Sequence, residues 1–138
     1  MSTTIRPELS KKNKYWIERH RYYELKHFCL QYPTWKNMYN ALDGMSKHSV
    51  DSVSIKVSGN GNPTERCGIA KAYYSERIAM VENVSKATDS ELSFYILKAV
   101  TEGLSYESLK AKLEIPCCKD TYYELYRRFF WLLNKERE

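Results

Sequence analysis

The 138 residues include 43% apolar and 14% aromatic side chains against 28% charged ones, which supports one folded core and excludes a disordered chain. The 22 Lys and Arg outnumber the 17 Asp and Glu, and the formal charge of +5 favours an anionic partner. With only five glycines, four prolines and no apolar run of spanning length, collagen-like, linker-like and membrane-spanning readings fall away, and an all-α protein of about six helices is expected.

Residues 1–13 are polar and basic, lack the apolar stretch of a secretory signal, and are expected to form a flexible basic arm carrying Arg6, Lys11 and Lys12. Residues 14–138 form one expected helical domain. Its first helix should span 14–31, because the residue before Pro33 is pushed out of helical geometry. Pro33 then opens a second helix through Trp35, Met38, Tyr39 and Leu42, closed by Gly44. Residues 45–62 have a loop pattern, with Val53, Ile55 and Val57 alternating as a short strand would, before the turn residues Gly59, Asn60, Gly61 and Asn62.

Asn62, Pro63 and Glu65 supply an N-cap, a first-turn proline and a capping-box glutamate for a long helix to about residue 87. Ile69, Ala70, Tyr73, Tyr74, Ile78, Met80, Val81 and Val84 make its broad apolar stripe, expected to face the core. Thr88 and Glu91 form a second capping box, for a helix that ends before Gly103. Ser105 can cap a short helix carrying Tyr106, Leu109 and Leu113. After Ile115 and Pro116 a last helix is expected over about 118–134, with Tyr122, Leu125, Tyr126, Phe129 and Leu132 or Leu133 turned inward.

Cys29, Cys67, Cys117 and Cys118 lack disulfide-framework spacing, so reduced thiols and a cytosolic setting are expected. There is no C-x-x-C pair, and His27 and Cys29 lie far apart around a helix, so no metal is expected. Without a nucleophile elbow or a Walker loop, no catalytic residue, no cofactor and no enzymatic activity are expected. Glu18 and Glu24 stand among basic neighbours as surface ion pairs would. The aromatics between Tyr15 and Tyr39 fit two packed helices better than a base-stacking platform.

Residues 89–134 follow the order helix, tight turn, short helix, turn, longer helix, which is that of a tri-helical helix-turn-helix unit. Facing outward on the last helix are Lys119, Asp120, Tyr123, Glu124, Arg127 and Arg128. Lys119 and Tyr123 suit bases or sugars, and Arg127 and Arg128 suit phosphates. Helical hairpins with a third helix also occur in proteins that never touch nucleic acid, and Asp120 and Glu124 lower the field of this surface. The first forty residues hold eight basic and three acidic side chains, whereas residues 105–138 hold seven and six. Lys11, Lys12, Lys14, Arg19 and Arg21 therefore either supply phosphate contacts or form a solvated basic face.

The runs YYELKHFCLQYPTW at 22–35 and AVTEGLSY at 99–106 resemble small proteins of phages and prophages of Gram-positive bacteria. The run TEGLSYESL at 101–109, with Ile115, Thr121 and Tyr122, is similar to the C-terminal helix-turn-helix of RinA- and ArpU-type late transcriptional regulators, which itself resembles sigma-factor region 4. The sequence departs from that pattern in placing Ile115, Pro116, Cys117 and Cys118 where such motifs have one residue fewer. The resemblance implies a phage-encoded regulator in the host bacterial cytoplasm that binds double-stranded DNA, with Thr121 among the contacts; one helix-turn-helix reads a short site, so a homodimer on paired half-sites is a plausible assembly. Its alternatives are a small-terminase-like packaging protein and a phage protein that binds and inhibits a host defence protein.

Overall fold

A computed structural model describes residues 13–47 and 63–138. They form α1 (Arg19–Leu30), α2 (Tyr32–Lys47), α3 (Pro63–Thr88), α4 (Ser93–Glu102), α5 (Tyr106–Leu113) and α6 (Lys119–Glu136), with no strand among the described residues. The all-α expectation holds for these residues. Residues 1–12 of the expected arm and most of the expected loop with its short strand lie outside them.

Several boundaries differ from expectation. The first helix starts at Arg19 rather than residue 14, because Asn13 folds the chain into a turn: its side chain accepts from the Tyr15 N–H at 2.8 Å and its carbonyl from the Trp16 N–H at 3.0 Å. The Glu18 carboxylate then accepts the His20 N–H and caps α1. Lys14 thus precedes the helix. Only Gln31 separates α1 from α2, because Pro33 has no N–H to return to the Cys29 carbonyl.

Gly44 does not close α2, which continues through it to Lys47. A glycine stops a helix by taking a left-handed φ, and among the described residues that geometry belongs to Gly103 (φ 68°) and Glu114 (φ 54°). Thr88 is not a cap either. Its hydroxyl donates back to the Val84 carbonyl at 2.8 Å, and the Asp89 carboxylate takes the N–H groups of Glu91 and Leu92, each at 2.9 Å, so that α4 starts at Ser93.

The core lies where α1, the C-terminal half of α3, α4 and α6 meet. Tyr22, Leu25 and Cys29 of α1, Val81 of α3, Ile96 of α4 and Phe129, Phe130 and Leu133 of α6 are all at most 2% exposed. The aromatic run of α1 and α2 does belong to this packing at Tyr22, Phe28 and Trp35, while Tyr23 and Met38 are exposed. Tyr22 stands edge-on to Phe130 at 5.2 Å, and Phe28 to Trp35 at 4.8 Å.

The apolar stripe of α3 is only half core. This helix has 26 residues, about 39 Å of rise, and its N-terminal half packs beside α2 beyond the reach of the central cluster. Ile69 is 66% and Tyr73 48% exposed, contrary to the expectation that the stripe faces inward throughout.

Candidate nucleic-acid interface

The short helix α5 is positioned by sequence-local devices. The Ser105 hydroxyl accepts the Ser108 N–H at 3.1 Å and caps it, and Gly103, left-handed, closes α4 two residues earlier. Leu109, fully buried, is the residue through which α5 enters the core. Between α5 and α6 the chain turns at Glu114, whose left-handed φ lets the fully buried Ile115 point inward. Two bonds tie this turn to α5: the Tyr106 hydroxyl donates to the Cys117 carbonyl at 2.7 Å, and the Lys110 ammonium to the Ile115 carbonyl at 3.3 Å. The start of α6 is therefore held rigidly.

Along α6, Tyr122, Phe129, Phe130 and Leu133 face the core, which leaves Lys119, Asp120, Thr121, Glu124 and Arg128 exposed and Tyr123 and Arg127 half-buried. Four of the expected contacts are engaged inside the chain or turned into it. Lys119 forms an ion pair with Glu107 of α5 at 3.0 Å, and that carboxylate holds its pKa above the ordinary lysine value. Thr121 shares a hydrogen bond with the Cys118 thiol at 3.2 Å. The Tyr123 hydroxyl is buried with no hydrogen-bond partner among the described residues, so it does not face solvent as a sugar or base contact would.

The fourth is Arg21, whose guanidinium binds the Asn134 side chain at 2.6 Å, the Arg137 carbonyl at 3.3 Å and Glu24 at 2.6 Å. It clamps α1 to the C-terminal end of α6, about 22 Å from Lys119 along the helix. Arg19 is exposed on the same helix, 6.0 Å from the Tyr23 ring. Lys11 and Lys12 lie outside the described residues.

The sequence points to Arg127 and Arg128 but not to the strip that they form with Trp131 and Lys135. Arg127, Arg128, Trp131 and Lys135 follow one another at helical spacing, Lys135 sits 3.7 Å over the Trp131 ring, and Tyr15 packs edge-on to Trp131 at 5.5 Å. Lys14 lies over Tyr15 at 5.0 Å and so joins the strip. Arg127 and Arg128 have no ion pair among the described residues. The spacing of Trp131 and Lys135 is visible in the sequence, but the arrival of Lys14 beside them depends on the turn at Asn13.

The cysteines differ by position. Burial pushes the Cys29 thiol far up and raises Cys117, where the neighbouring Cys118 adds to the effect. Cys118 is exposed at the α6 N-cap, and its hydrogen bond to Thr121 lowers its pKa. Among the described residues no group of three or more His, Cys, Asp or Glu could hold a metal ion, and no helix is long and apolar enough to cross a membrane. Protein-family models, curated proteins and solved structures give no match to the chain.

Proposed function

We propose that α4, α5 and α6 act as a helix-turn-helix unit on double-stranded DNA, and that the protein is a non-enzymatic transcriptional regulator of the phage type its sequence resembles. The observation that carries this reading is the pinned joint between α5 and α6. A buried leucine, a hydroxyl cap and two side-chain bonds to the turn hold a short helix ahead of a longer one whose first turn faces solvent.

In this reading the strip of Arg127, Arg128, Lys135 and Lys14 supplies phosphate contacts, while Lys119, Thr121 and Glu124 stand where base edges would be met. Arg21 serves the fold, because its donors are already committed to α6.

The test is duplex binding as a function of salt. Affinity should fall steeply between 50 and 200 mM salt, and Arg127→Ala with Arg128→Ala should reduce the slope by roughly two. No binding to random or phage promoter duplex at low salt would refute the proposal.

A second reading, docking on a host protein, draws support from one specific observation: Phe94 of α4 is 52% exposed beside Lys98, an aromatic and basic pairing of the kind found at protein interfaces. Phe94→Ala should then abolish capture of the host protein and leave DNA binding unchanged.

A further inference from the structure

Arg137, at the C-terminal end of α6, has a guanidinium whose donors are unused among the described residues. It lies over the Phe28 ring of α1 at 3.7 Å. Its Nε is buried with no hydrogen-bond partner, and none of its guanidinium nitrogens bonds or pairs with a described residue. A buried N–H without an acceptor is costly, and folded chains rarely leave one. Two further guanidiniums stand at this end of the bundle. Arg21 of α1 donates to the Arg137 carbonyl at 3.3 Å. Arg77 of α3 and Arg137 each lie one turn from a fully buried residue of the shared core, Val81 and Leu133 respectively. Arg77 sits over the Tyr73 ring at 3.5 Å and donates to the Tyr73 carbonyl at 3.1 Å. Burial, and then the charges of Arg21 and Arg77, push the Arg137 pKa below the ordinary arginine value. Against these three cations stands Glu24, paired with Arg21 at 2.6 Å.

We infer that Arg137, flanked by Arg21 and Arg77, binds a phosphate dianion, either free or as the terminal group of a phosphomonoester. Three guanidiniums less one carboxylate leave an excess of two positive charges, which a dianion balances and a carboxylate or a phosphodiester does not. A tetrahedral phosphate also offers several acceptor oxygens. They can take the Nε proton and a terminal N–H of Arg137 side by side while another faces Arg77. Arg21 contributes charge rather than new bonds, since Asn134, Glu24 and the Arg137 carbonyl already engage each of its nitrogens. The site is separate from the strip proposed for DNA. Arg137 follows Lys135 by two residues, about 200° around the helix, so the two side chains leave α6 on opposite sides.

Titration of the full chain with inorganic phosphate at about pH 7.5, with ionic strength held constant by chloride, tests it through the arginine Nε–H signals of proton–nitrogen NMR spectra. The signal that disappears in Arg137→Gln identifies Arg137. In the native chain that signal should shift saturably, with a dissociation constant on the order of 1 mM. Adenosine 5′-monophosphate distinguishes the two sources: affinity tighter by more than about threefold assigns the site to a phosphomonoester, and equal or weaker affinity to the free ion. Dimethyl phosphate, a monoanion of the same shape, should bind at least about tenfold more weakly than phosphate. Arg77→Gln breaks no bond between helices, so it reports on the site even where a change at Arg137 loosens the end of α6. It should weaken phosphate binding about threefold. Lys112→Gln removes the same charge from an exposed position of α5, at the other end of α6, and should leave the affinity unchanged. No saturable shift of the Arg137 signal, equal binding of dimethyl phosphate, or equal effects of Lys112→Gln and Arg77→Gln would each overturn the inference.

Discussion

Replacing Leu109 by Ala tests whether α5 is anchored as described. The side chain is fully buried, and it is the residue of this eight-residue helix that enters the core. Truncating a buried leucine costs about 2–5 kcal/mol, the spread reflecting how far the surroundings close over the cavity. Here α5 packs chiefly on α4, so it can shift inward more easily than a central helix. On the other side, the buried Ile115 and the Lys110 to Ile115 bond hold its C-terminal end in place, and the Tyr106 to Cys117 bond holds its first residue. A loss of about 3 kcal/mol follows, out of a total on the order of 10 kcal/mol. Urea unfolding should show a midpoint lowered by about a third with an unchanged slope. Hydrogen exchange should accelerate first in α5 and the turn after it. Leu113→Ala, at a half-buried position on the same helix, is the control and should cost less than about 1 kcal/mol. If Leu109→Ala costs under about 1 kcal/mol, α5 is not held by the core, and the rigid joint on which the DNA reading rests is absent.

Four further outcomes follow from the structure. Glu107→Gln removes the ion-pair partner of Lys119, so duplex affinity and its salt slope should both increase, the slope by about one, if the first turn of α6 lies on DNA. Iodoacetamide at pH 7–8 should label Cys118 first and Cys117 more slowly, and should reach Cys29 only on unfolding; mass spectrometry of the labelled chain gives the order, and early labelling of Cys29 would contradict its burial. Gly103→Ala meets only an ordinary contact with Leu30 at 3.7 Å, so its cost, about 1–2 kcal/mol by thermal unfolding, should come from the left-handed φ of 68° rather than from a clash. Burial raises the hydroxyls of Tyr122 and Tyr126 in the folded state, so their stabilisation is complete below the ordinary tyrosine value near pH 10 and is lost as pH rises toward their folded values. With these two protons retained only by the folded chain, stability should fall by about 3 kcal/mol per pH unit above pH 10, and tyrosinate absorbance should appear together with the loss of helix.

Much of the helical order was legible because helix starts and stops are local. Ser105 acts through its own hydroxyl and Gly103, Pro63 and Pro116 through their own backbone geometry, and each expected boundary near them lies within a residue or two of the observed one. The errors arose where two local signals competed and tertiary packing chose between them. Asn13 and Glu18 displaced the start of α1, and Asp89 took the capping role from its neighbour Thr88 because its carboxylate reaches two N–H groups at once. Periodicity located the stripe of α3 but carries no information about where along a 39 Å helix the partner elements stop; that limit is a matter of contacts from distant parts of the chain. The candidate site was legible only as a set of outward positions on α6, since Glu107 and Lys119 are twelve residues apart and Arg21 and Asn134 more than a hundred.

The charge distribution acquires a different meaning once α1 is placed on α6. Its basic residues were expected to join the start of α6 in gripping phosphates, yet the contacts of Arg21 with Asn134 and the Arg137 carbonyl put α1 at the opposite end of that helix. The first turn of α6 is left with Lys119 neutralised by Glu107 and with Asp120 and Glu124 exposed, so it offers no net positive field. On α6, Arg127 and Arg128 have no ion pair among the described residues, and Lys135 and Lys14 join them further on. A duplex attracted by this field would be held along the C-terminal part of α6, and the first turn could reach base edges only if the helix lay lengthwise in the groove, with the strip on one phosphate backbone. Affinity and base reading are therefore separable on this surface. Removing Arg127 and Arg128 should weaken all duplexes alike, whereas Thr121→Val should alter preference among sequences at nearly constant salt slope.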